Sequence, residues 1–486
     1  MIPVPAGLKY RSFQEDGVRF LIDHPRAWLG DDMGLGKTIQ ICGMINAVPQ
    51  INRTLVVCPS SVKLNWKKEL EKWVSFCPQV GVAYGNHFPD TNIVIVNYDI
   101  MSRHYEATRR FTWDLMVADE AHYCKNIGAK RTQMVVGSNE FVPIPAHRAV
   151  AMTGTPIVNR PIELYPMLRY LAPHQFPDYH AFGNYFCGGL GEIIFQNFGS
   201  TANYQAFRIF CYKKGIKAKP RISAQHWDEL RAFLPNPNVL QYRILDEYTG
   251  ASNLDHLNAL LKSTVMLRRL KRDVLKELPP KQRQIIEIKP DASVMRLIEM
   301  ENKIVAERGM DEAFARSVYQ DINEGNFAPE FGELSTVRRT LAEYKVKYLI
   351  QHLRSLPDKV VCFVHHKGTV DAIRAEFGDS CVVVDGRTTS NKKEEAKEAF
   401  QTDEDIRLFV GTTAAAEGIT LTASSHVVMG EPQWVPGIVS QMEDRCHRIG
   451  QEGSVLVQHV VLSGSLDVRM LRTVIQKQEV IEQAVN

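Results

Sequence analysis

The sequence predicts an α/β protein of two lobes, each built on a parallel sheet, joined by a helical connection and carrying an insertion in the first lobe. Three observations predict this fold. The 486 residues exceed what one hydrophobic core usually holds, so two or three packed units are expected. Short apolar runs alternate with amphipathic stretches, as strands and helices do in α/β domains. A long, charged, mostly helical stretch at about 253–353 separates two sets of such runs.

The apolar runs are rich in valine and isoleucine on both faces, as expected for parallel strands covered by helices on each side. In the first half, the predicted strands are Thr54–Cys58, Ile93–Asn97, Leu115–Ala118 and Ala149–Met152. In the second half, they are Lys359–Val364, Cys381–Asp385, Ile406–Val410, Val427–Gly430 and Val455–Val461. The chain is expected to end in a packing helix, Leu466–Val485.

These patterns predict three regions. The first lobe covers residues 1–278, with an insertion at about 188–252. A helical linker follows at 279–345, where Leu278-Pro-Pro280 indicates a break or hinge. The second lobe covers residues 346–486.

Composition limits the class of protein. The chain is 44% hydrophobic and 23% charged, as in ordinary globular proteins, and its net charge of +3 neither requires nor excludes nucleic acid. Nine scattered cysteines without a C-x-x-C pair indicate a reduced, intracellular protein. No signal peptide is apparent, and no apolar run approaches the roughly 18 residues of a membrane span. We therefore expect a cytoplasmic monomer from a phage or bacterium, nuclear if eukaryotic, without a membrane partner.

A phosphate-binding loop is predicted at Gly30-Asp-Asp-Met-Gly-Leu-Gly-Lys-Thr38. Glycines such as Gly34 and Gly36 let backbone N–H groups close around phosphate oxygens, and the following helix adds its partial positive charge. Lys37 is predicted to bind the β- and γ-phosphates, and Thr38 to ligate Mg²⁺. The alternative is a glycine-rich turn with a chance Gly-Lys-Thr.

Two acids about 80 residues later decide between these alternatives. Leu115–Asp119 is a hydrophobic strand that ends in an acid, and Glu120 follows it. Asp119 is predicted to hold Mg²⁺, and Glu120 to polarise the attacking water. A strand, Gly-Lys-Thr and helix followed by a strand and Asp-Glu-Ala-His is a rare combination. The pair predicts hydrolysis of a nucleotide with Mg²⁺ as the cofactor.

With these motifs, the chain resembles the SNF2 family of DNA-dependent ATPases, within helicase superfamily 2. The resemblance runs from Gln14 to about Gln451. It rests on further motifs in the family's order: Val57–Val62 followed by Trp66, Thr153–Pro156, Met266–Val274 with Glu277–Lys281, and Gln441–Gln451. The resemblance implies two RecA-like lobes and an ATP-driven motor that acts on duplex or branched DNA.

The resemblance also implies roles for single residues. Gln14 occupies the position that recognises adenine. The general loop pattern G-x-x-x-x-G-K-S/T has glycine where this chain has Asp31, and an acid at that position is normal for the family. Val57–Val62 and Trp66 match the segment that touches the DNA backbone, and Thr153–Pro156 the motif that couples hydrolysis to DNA contact. The segment Met266–Val274 is typical of SNF2 proteins, in which it runs along the lobe connection.

Arg445 and Arg448 match the family's arginine fingers, which neutralise charge on the γ-phosphate when the lobes close. One motif departs from the family pattern: Ala415 and Ala416 replace glycines in Gly411–Gly418. The annealing-helicase subgroup, which remodels replication forks, has a similar pair of alanines. Together with Phe363–Lys367 and Glu333–Arg339, these alanines make the chain resemble that subgroup.

The insertion carries basic residues among aromatic ones. The basic residues are Arg208, Lys213, Lys214, Lys217, Lys219 and Arg221, and the aromatic ones are Tyr204, Phe207, Phe210 and Tyr212. Such a set can hold phosphates and stack on bases. It can equally be a small subdomain whose aromatics form its own core and whose lysines are solvated.

Three functions remain open from sequence. The first is a motor that moves or reanneals branched DNA. The second is a duplex translocase that displaces proteins, and the third is a nucleotide-gated DNA-binding scaffold. Glu120, Arg445 and Arg448 argue against the scaffold, because a binding switch needs no arginine fingers.

Overall fold

The computed structural model describes residues 2–188, 190–194, 201–214, 221–235, 241–244, 248, 250–308, 332–412, 418–433 and 435–485. Its two large sheets contain only parallel strand pairs, and buried apolar residues cover both faces of each. The predicted fold class, two RecA-like lobes, is confirmed. Thr54–Cys58 and Ile93–Asn97 are strands with the predicted bounds, and all five residues of each are buried.

The first sheet has the strand order β10-β1-β6-β5-β2-β4-β3. Its strands are β1 (Arg26–Leu29), β2 (Thr54–Cys58), β3 (Val80–Val82), β4 (Ile93–Asn97), β5 (Trp113–Asp119), β6 (Ala146–Met152) and β10 (Met266–Leu267). The helices of this lobe are α1 (Ser12–Asp23), α2 (Lys37–Ala47), α3 (Lys63–Trp73), α4 (Met101–Thr108), α5 (Lys130–Val136), α6 (Tyr165–Leu171), α7 (Tyr179–Phe186), α10 (Leu254–Thr264) and α11 (Lys271–Val274).

In the described residues of the insertion, the chain forms a separate three-stranded antiparallel sheet with two helices. These elements are β7 (Leu190–Ile194), α8 (Thr201–Lys213), β8 (Arg221–Ser223), α9 (Ala224–Phe233) and β9 (Gln241–Ile244).

The second sheet has the order β11-β16-β15-β12-β14-β13. Its strands are β11 (Lys281–Ile288), β12 (Val360–Phe363), β13 (Cys381–Val384), β14 (Leu408–Gly411), β15 (His426–Met429) and β16 (Val455–Leu462). The helices around it are α12 (Ala292–Arg308), α13 (Gly332–Ser355), α14 (Lys367–Phe377), α15 (Ser390–Thr402), α16 (Pro436–Glu443) and α17 (Leu466–Val485). Single 3₁₀ turns occur at Ser60–Val62, Tyr98–Ile100, Ala121–Cys124, Pro161–Leu164 and Gly378–Ser380.

Two strands, β10 and β11, lie within the stretch that the sequence predicts as mostly helical. β11 pairs with β16 along eight residues and so forms the edge of the second sheet. Most of its residues are exposed or half-buried, as at a sheet edge, and its run therefore lacks the fully apolar character of the predicted strands.

The C-terminal helix α17 bridges the lobes. Its last residues, Ala484 and Val485, are buried in the core of the first lobe. Nearby, the backbone oxygen of Gln483 accepts a hydrogen bond from Asn258 Nδ2 of α10 at 3.3 Å. None of the helices in the described ranges is long and apolar enough to cross a membrane.

Candidate active site

The strand order gathers the predicted motifs at one edge of the first sheet. The strands β10, β1, β6 and β5 are neighbours and parallel, so the segments that follow them leave from the same edge. Ligands of open α/β sheets bind outside the carboxyl ends of the strands. The residues after Leu29, Asp119, Met152 and Leu267 therefore meet at one place.

The glycine-rich loop between β1 and α2 has the conformation that its sequence predicts. Gly34 and Gly36 have φ values of 84° and 72°, in the left-handed region that favours glycine. Helix α2 begins directly afterwards at Lys37, with Thr38 beside it and half-buried, so backbone N–H groups face a possible anion. Gln14 lies against the same loop, because its Nε2 donates to the backbone oxygen of Leu35 at 3.3 Å.

The Lys37 side chain lies across this loop. Its Nζ donates to the backbone oxygen of Asp31 at 2.8 Å and to that of Asp32 at 3.3 Å. Burial lowers the pKa of Lys37, and the nearby charges of Glu120 and Asp31 oppose that shift. The ammonium therefore lies between the glycine-rich loop and the two acids after β5.

Asp119 and Glu120 have different surroundings. Asp119 Oδ2 accepts a hydrogen bond from Trp66 Nε1 at 2.6 Å, whereas Glu120 Oε2 accepts one from Thr153 Oγ1 at 2.9 Å. Burial and the charge of Glu120 raise the pKa of Asp119. Burial alone would raise the pKa of Glu120 too, but the hydrogen bond and charge of His122 hold that pKa below its ordinary value.

Glu120 also has an unusual backbone, with φ at 46°. A non-glycine residue in this region is uncommon, and such strain concentrates at functional sites. The turn directs the Glu120 carboxylate to Thr153, while Asp119 points to α3. The two carboxylates thus have different side-chain partners, although the Glu120 N–H donates to Asp119 Oδ1 at 2.8 Å.

Trp66 has a role that its motif did not indicate. The family resemblance places it in a segment that touches DNA, and in the structure the residue is 1% exposed and its indole donates to Asp119. The ring is buried with the core, so Trp66 orients an acid of the site. Sequence reasoning missed this role because the two residues lie 53 positions apart.

A hydrogen-bond path runs from Glu120 to the second lobe. Thr153 Oγ1 lies 3.4 Å from Thr155 Oγ1, which accepts a hydrogen bond from Gln441 Nε2 at 3.2 Å. Gln441 belongs to α16 of the second lobe. The Thr153–Pro156 segment therefore connects the acids after β5 to the motif with the predicted arginine fingers.

Both predicted fingers reach the glycine-rich loop. Arg445 is 2% exposed, and its Nη2 lies 3.7 Å from Met33 Sδ. Arg448 covers Gly34 so closely that a β-carbon at Gly34 would lie 3.1 Å from Arg448 Cγ. The structure thus brings Arg445 and Arg448 of the second lobe to the loop that carries Lys37.

Groups of the second lobe hold both guanidinium groups in place. Arg445 Nη1 donates to the backbone oxygen of Ile419 at 3.2 Å, and Arg448 Nη1 donates to Thr420 Oγ1 at 3.2 Å. Burial lowers the pKa of Arg448, opposed by the charges of Asp444 and Glu120. These contacts within the second lobe fix the position of both guanidinium groups beside the glycine-rich loop.

The segment Met266–Val274, called the strap below, makes contacts that the motifs alone did not indicate. Arg269 Nε donates to Asp31 Oδ1 at 2.9 Å, and its Nη2 forms an ion pair with the same carboxylate. Arg268 Nη1 donates to the backbone oxygen of Gly30 at 2.6 Å. Asp31 is fully buried, and its ion pair with Arg269 explains why an acid is stable at this position of the loop. The adjacent Arg268 and Arg269 were the feature of the sequence that could have indicated these contacts.

The insertion divides its aromatic residues between a core and a surface. Phe207 and Phe210 pack with Leu230 and Leu234, so this part of the set forms a small core. Tyr212, in contrast, is 88% exposed. Tyr204 and Arg208 are also exposed and lie at four-residue spacing with Tyr212 on α8, which places the three on one helix face.

Lysines of the insertion have local contacts. Lys214 forms an ion pair with Glu229 at 2.6 Å, and Lys213 Nζ lies 5.1 Å from the centre of the Phe233 ring. Lys217 and Lys219 lie outside the described residues, as do Ala415 and Ala416.

The fold and these contacts define the class of two-lobed, RecA-like ATPases of the helicase type. A family model for the SNF2-related domain matches residues 13–327, more than half of the chain, and one for the helicase conserved C-terminal domain matches residues 344–450. The chain belongs to the SNF2-related family. The family resemblance that its motifs indicated is confirmed.

Several curated proteins are similar along nearly the whole chain. The Xenopus laevis SWI/SNF-related matrix-associated actin-dependent regulator of chromatin subfamily A-like protein 1 is 30% identical over 97% of this chain and 44% of its own length. Its Caenorhabditis elegans homolog is 27% identical over 97% of this chain and 61% of its own length. The human DNA annealing helicase and endonuclease ZRANB3 is 28% identical over 98% of this chain and 40% of its own length.

The chain thus spans about half the length of the curated relatives that it matches. Among solved structures, the Sulfolobus solfataricus SWI2/SNF2 ATPase core in complex with dsDNA is similar with a TM-score of 0.41 and 20% identity. That similarity covers 99% of this chain and 94% of the other.

Proposed function

We propose that this chain is an ATP-dependent DNA translocase that remodels branched DNA by moving or reannealing its strands. The observation that carries the proposal is the approach of Arg445 and Arg448 to the loop of Lys37, with Glu120 connected to the same lobe interface. A site divided between two lobes can couple hydrolysis to lobe movement. Family membership supports the ATPase activity, and similarity to ZRANB3, a DNA annealing helicase, supports the reannealing of DNA strands.

In this proposal, ATP binds between the lobes. Lys37 binds the β- and γ-phosphates together with the backbone of Gly34 and Gly36, and Gln14 recognises the adenine. Glu120 accepts a proton from the attacking water or orients it. Arg445 and Arg448 neutralise charge on the γ-phosphate when the lobes are closed.

Thr38 and Asp119 fit a Mg²⁺ site. A hydroxyl and a carboxylate are the hard oxygen ligands that Mg²⁺ prefers, and the raised pKa of the buried Asp119 carboxyl indicates a group that a cation would stabilise as the anion. When bound there, Mg²⁺ would neutralise charge on the phosphates. The residues themselves provide the orientation, since Trp66 fixes one oxygen of Asp119.

DNA is proposed to cross a second cleft between the lobes. One side of a cavity of about 270 Å³ is lined by Asn65 and Lys68 of α3 and by Ser61 of the turn before it, and the other side by α15 and Gly418. Acids line it as well, and Glu394 forms an ion pair with Lys68 at 3.5 Å. An exposed pair of this kind is worth only about 0.2–1 kcal/mol, so DNA phosphates can displace it. Contacts to phosphates imply little sequence preference.

The proposal also assigns a role to each of the three predicted regions of the chain. Residues 1–278 act as the lobe that binds the phosphates and 346–486 as the lobe that supplies the arginines, while 279–345 connects them and contributes β11 to the second sheet. Both halves of the site come from one chain, so a monomer suffices for activity.

Lys37→Ala and Glu120→Gln test the site. Either change should abolish hydrolysis of ATP while duplex DNA binds with wild-type affinity, because neither side chain lies in the proposed DNA cleft. Steady-state hydrolysis and fluorescence anisotropy measure the two properties. Glu140→Gln, an exposed acid of the same lobe, is the matched control. A Glu120→Gln variant that hydrolyses ATP at the wild-type rate would refute the assigned roles.

A further inference from the structure

One residue of the strap contacts both the glycine-rich loop and the turn that carries the two arginines. The backbone N–H of Lys271 donates to Asp32 Oδ2 at 3.0 Å. Its Nζ lies 2.9 Å from Asp444 Oδ2 and donates to the backbone oxygen of His447 at 2.6 Å. Lys271 is 5% exposed, so these contacts are shielded from water.

The two second-lobe partners of Lys271 immediately precede the arginines. Asp444 is followed by Arg445, and His447 by Arg448. The backbone oxygen of Asp444 also accepts a hydrogen bond from Arg448 Nε at 2.9 Å. Lys281 Nζ lies 2.9 Å from the other carboxylate oxygen of Asp444, so two ammonium groups hold this turn, and Lys271 is the one that also binds the His447 carbonyl before Arg448.

The other end of the strap is fixed to the glycine-rich loop. Arg269 binds the Asp31 carboxylate, and Arg268 Nη2 lies 3.4 Å from Asp32 Oδ1. The backbone oxygens of Asp31 and Asp32 are also the acceptors of Lys37 Nζ. The side chains of these two acids thus hold the strap, while their carbonyl groups hold the lysine proposed to bind phosphate.

We propose that Lys271 is a positioning residue for hydrolysis, which sets Arg445 and Arg448 on the glycine-rich loop by holding their turn against the strap. The inference rests on the proposed ATPase function and adds a connection between the glycine-rich loop and the two arginines. When Lys37 leaves the carbonyl groups of Asp31 and Asp32 to bind phosphates, the loop moves, and the strap transmits this movement to the arginine turn. Lys271 itself touches no substrate.

Lys271→Met tests this role, because methionine keeps the length of the stem and removes the charge. We expect kcat for ATP hydrolysis with saturating DNA to fall roughly 10- to 100-fold, since a displacement near 1 Å of a catalytic group has effects of that size. The KM for ATP should stay within about twofold, because the first lobe supplies the proposed binding groups. Lys276→Met makes the same chemical change at an exposed position of the neighbouring segment and should leave both constants unchanged.

A double-mutant cycle with Asp444→Asn separates positioning from general damage. If Lys271 and Asp444 act as a unit, the double variant is no slower than the worse single variant. Additive losses would overturn the proposal, as would an increase in KM at constant kcat. If Lys271→Met does not fold, kcat is measured for the near-isosteric Asp444→Asn variant alone. A wild-type kcat of that variant would overturn the proposal.

The outcomes also separate this inference from the proposed function. A wild-type chain that hydrolyses ATP with DNA, alongside a Lys271→Met variant with the same kcat, contradicts only the positioning role. A wild-type chain without any ATPase activity refutes the proposed function and this inference with it.

Discussion

Glu443→Gln removes a buried charge at the end of α16, next to the turn with Arg445 and Arg448. Glu443 is fully buried and accepts hydrogen bonds from Arg283 Nε at 2.8 Å and Nη2 at 2.7 Å, and from Lys281 Nζ at 3.0 Å. Removing one partner of a buried ion pair costs about 3–5 kcal/mol. Because the Arg283 side chain is 45% exposed, water compensates part of the loss, and we expect a decrease near the lower value.

The stabilisation by Glu443 should depend on pH and decrease in acid. Burial opposes ionisation of Glu443, but the charges of Lys281 and Arg283 and the hydrogen bond with His459 hold its pKa well below the ordinary value. The stabilisation is thus complete above the unfolded pKa of about 4.3 and decreases as the pH falls toward the folded pKa. The difference between wild type and Glu443→Gln should shrink by about 1.4 kcal/mol per pH unit below about pH 4.3.

Urea unfolding followed by circular dichroism measures this difference at pH 7 and at several lower pH values. The exposed Glu479→Gln on α17 is the matched control and should unfold like the wild type. The reasoning is refuted if Glu443→Gln has the wild-type midpoint at pH 7, or if the difference stays constant down to pH 3.

Two further variants test the arginines and the insertion. Arg448→Ala should lower kcat by about 10³-fold or more, the usual contribution of an arginine finger, while a fluorescent ATP analogue binds with unchanged affinity; wild-type turnover would exclude the finger role. Arg208→Glu combined with Tyr212→Ala should weaken binding to forked DNA by about 1–3 kcal/mol relative to linear duplex, because an exposed aromatic side chain can stack on an unpaired base. Anisotropy titrations with both DNAs measure this change. If the double variant binds forked DNA with the affinity of the wild type, the result supports the alternative that α8 belongs only to a small subdomain.

The sequence predicted the elements that depend on local patterns. Thr54–Cys58 and Ile93–Asn97 are continuous apolar runs, and a run of this kind is a strand once helices cover both faces. Gly34, Gly36 and Lys37 form a recognisable loop because their conformation follows from residue type. The approach of Arg445 to the loop was expected from the family resemblance.

The remaining features depend on contacts between distant residues. β11 is a strand because it pairs with β16, more than 170 positions later, and its own half-exposed residues do not indicate a strand. The motif places Trp66 in a segment that touches DNA but does not reveal that its side chain is buried and binds Asp119. The bond of Lys271 to Asp444 joins two motifs whose proximity only the folded chain establishes.

The central claim, that hydrolysis is driven by branched DNA, is tested most directly by the steady-state ATPase rate with different nucleic acids. The set comprises no nucleic acid, single-stranded DNA, linear duplex, a three- or four-way junction, and RNA, at equal nucleotide concentration. We predict strong stimulation by the junction above that by duplex of equal length. Equal stimulation by duplex and junction would contradict branched DNA as the substrate and favour a protein-displacing translocase, and a rate that no nucleic acid changes would contradict the motor itself.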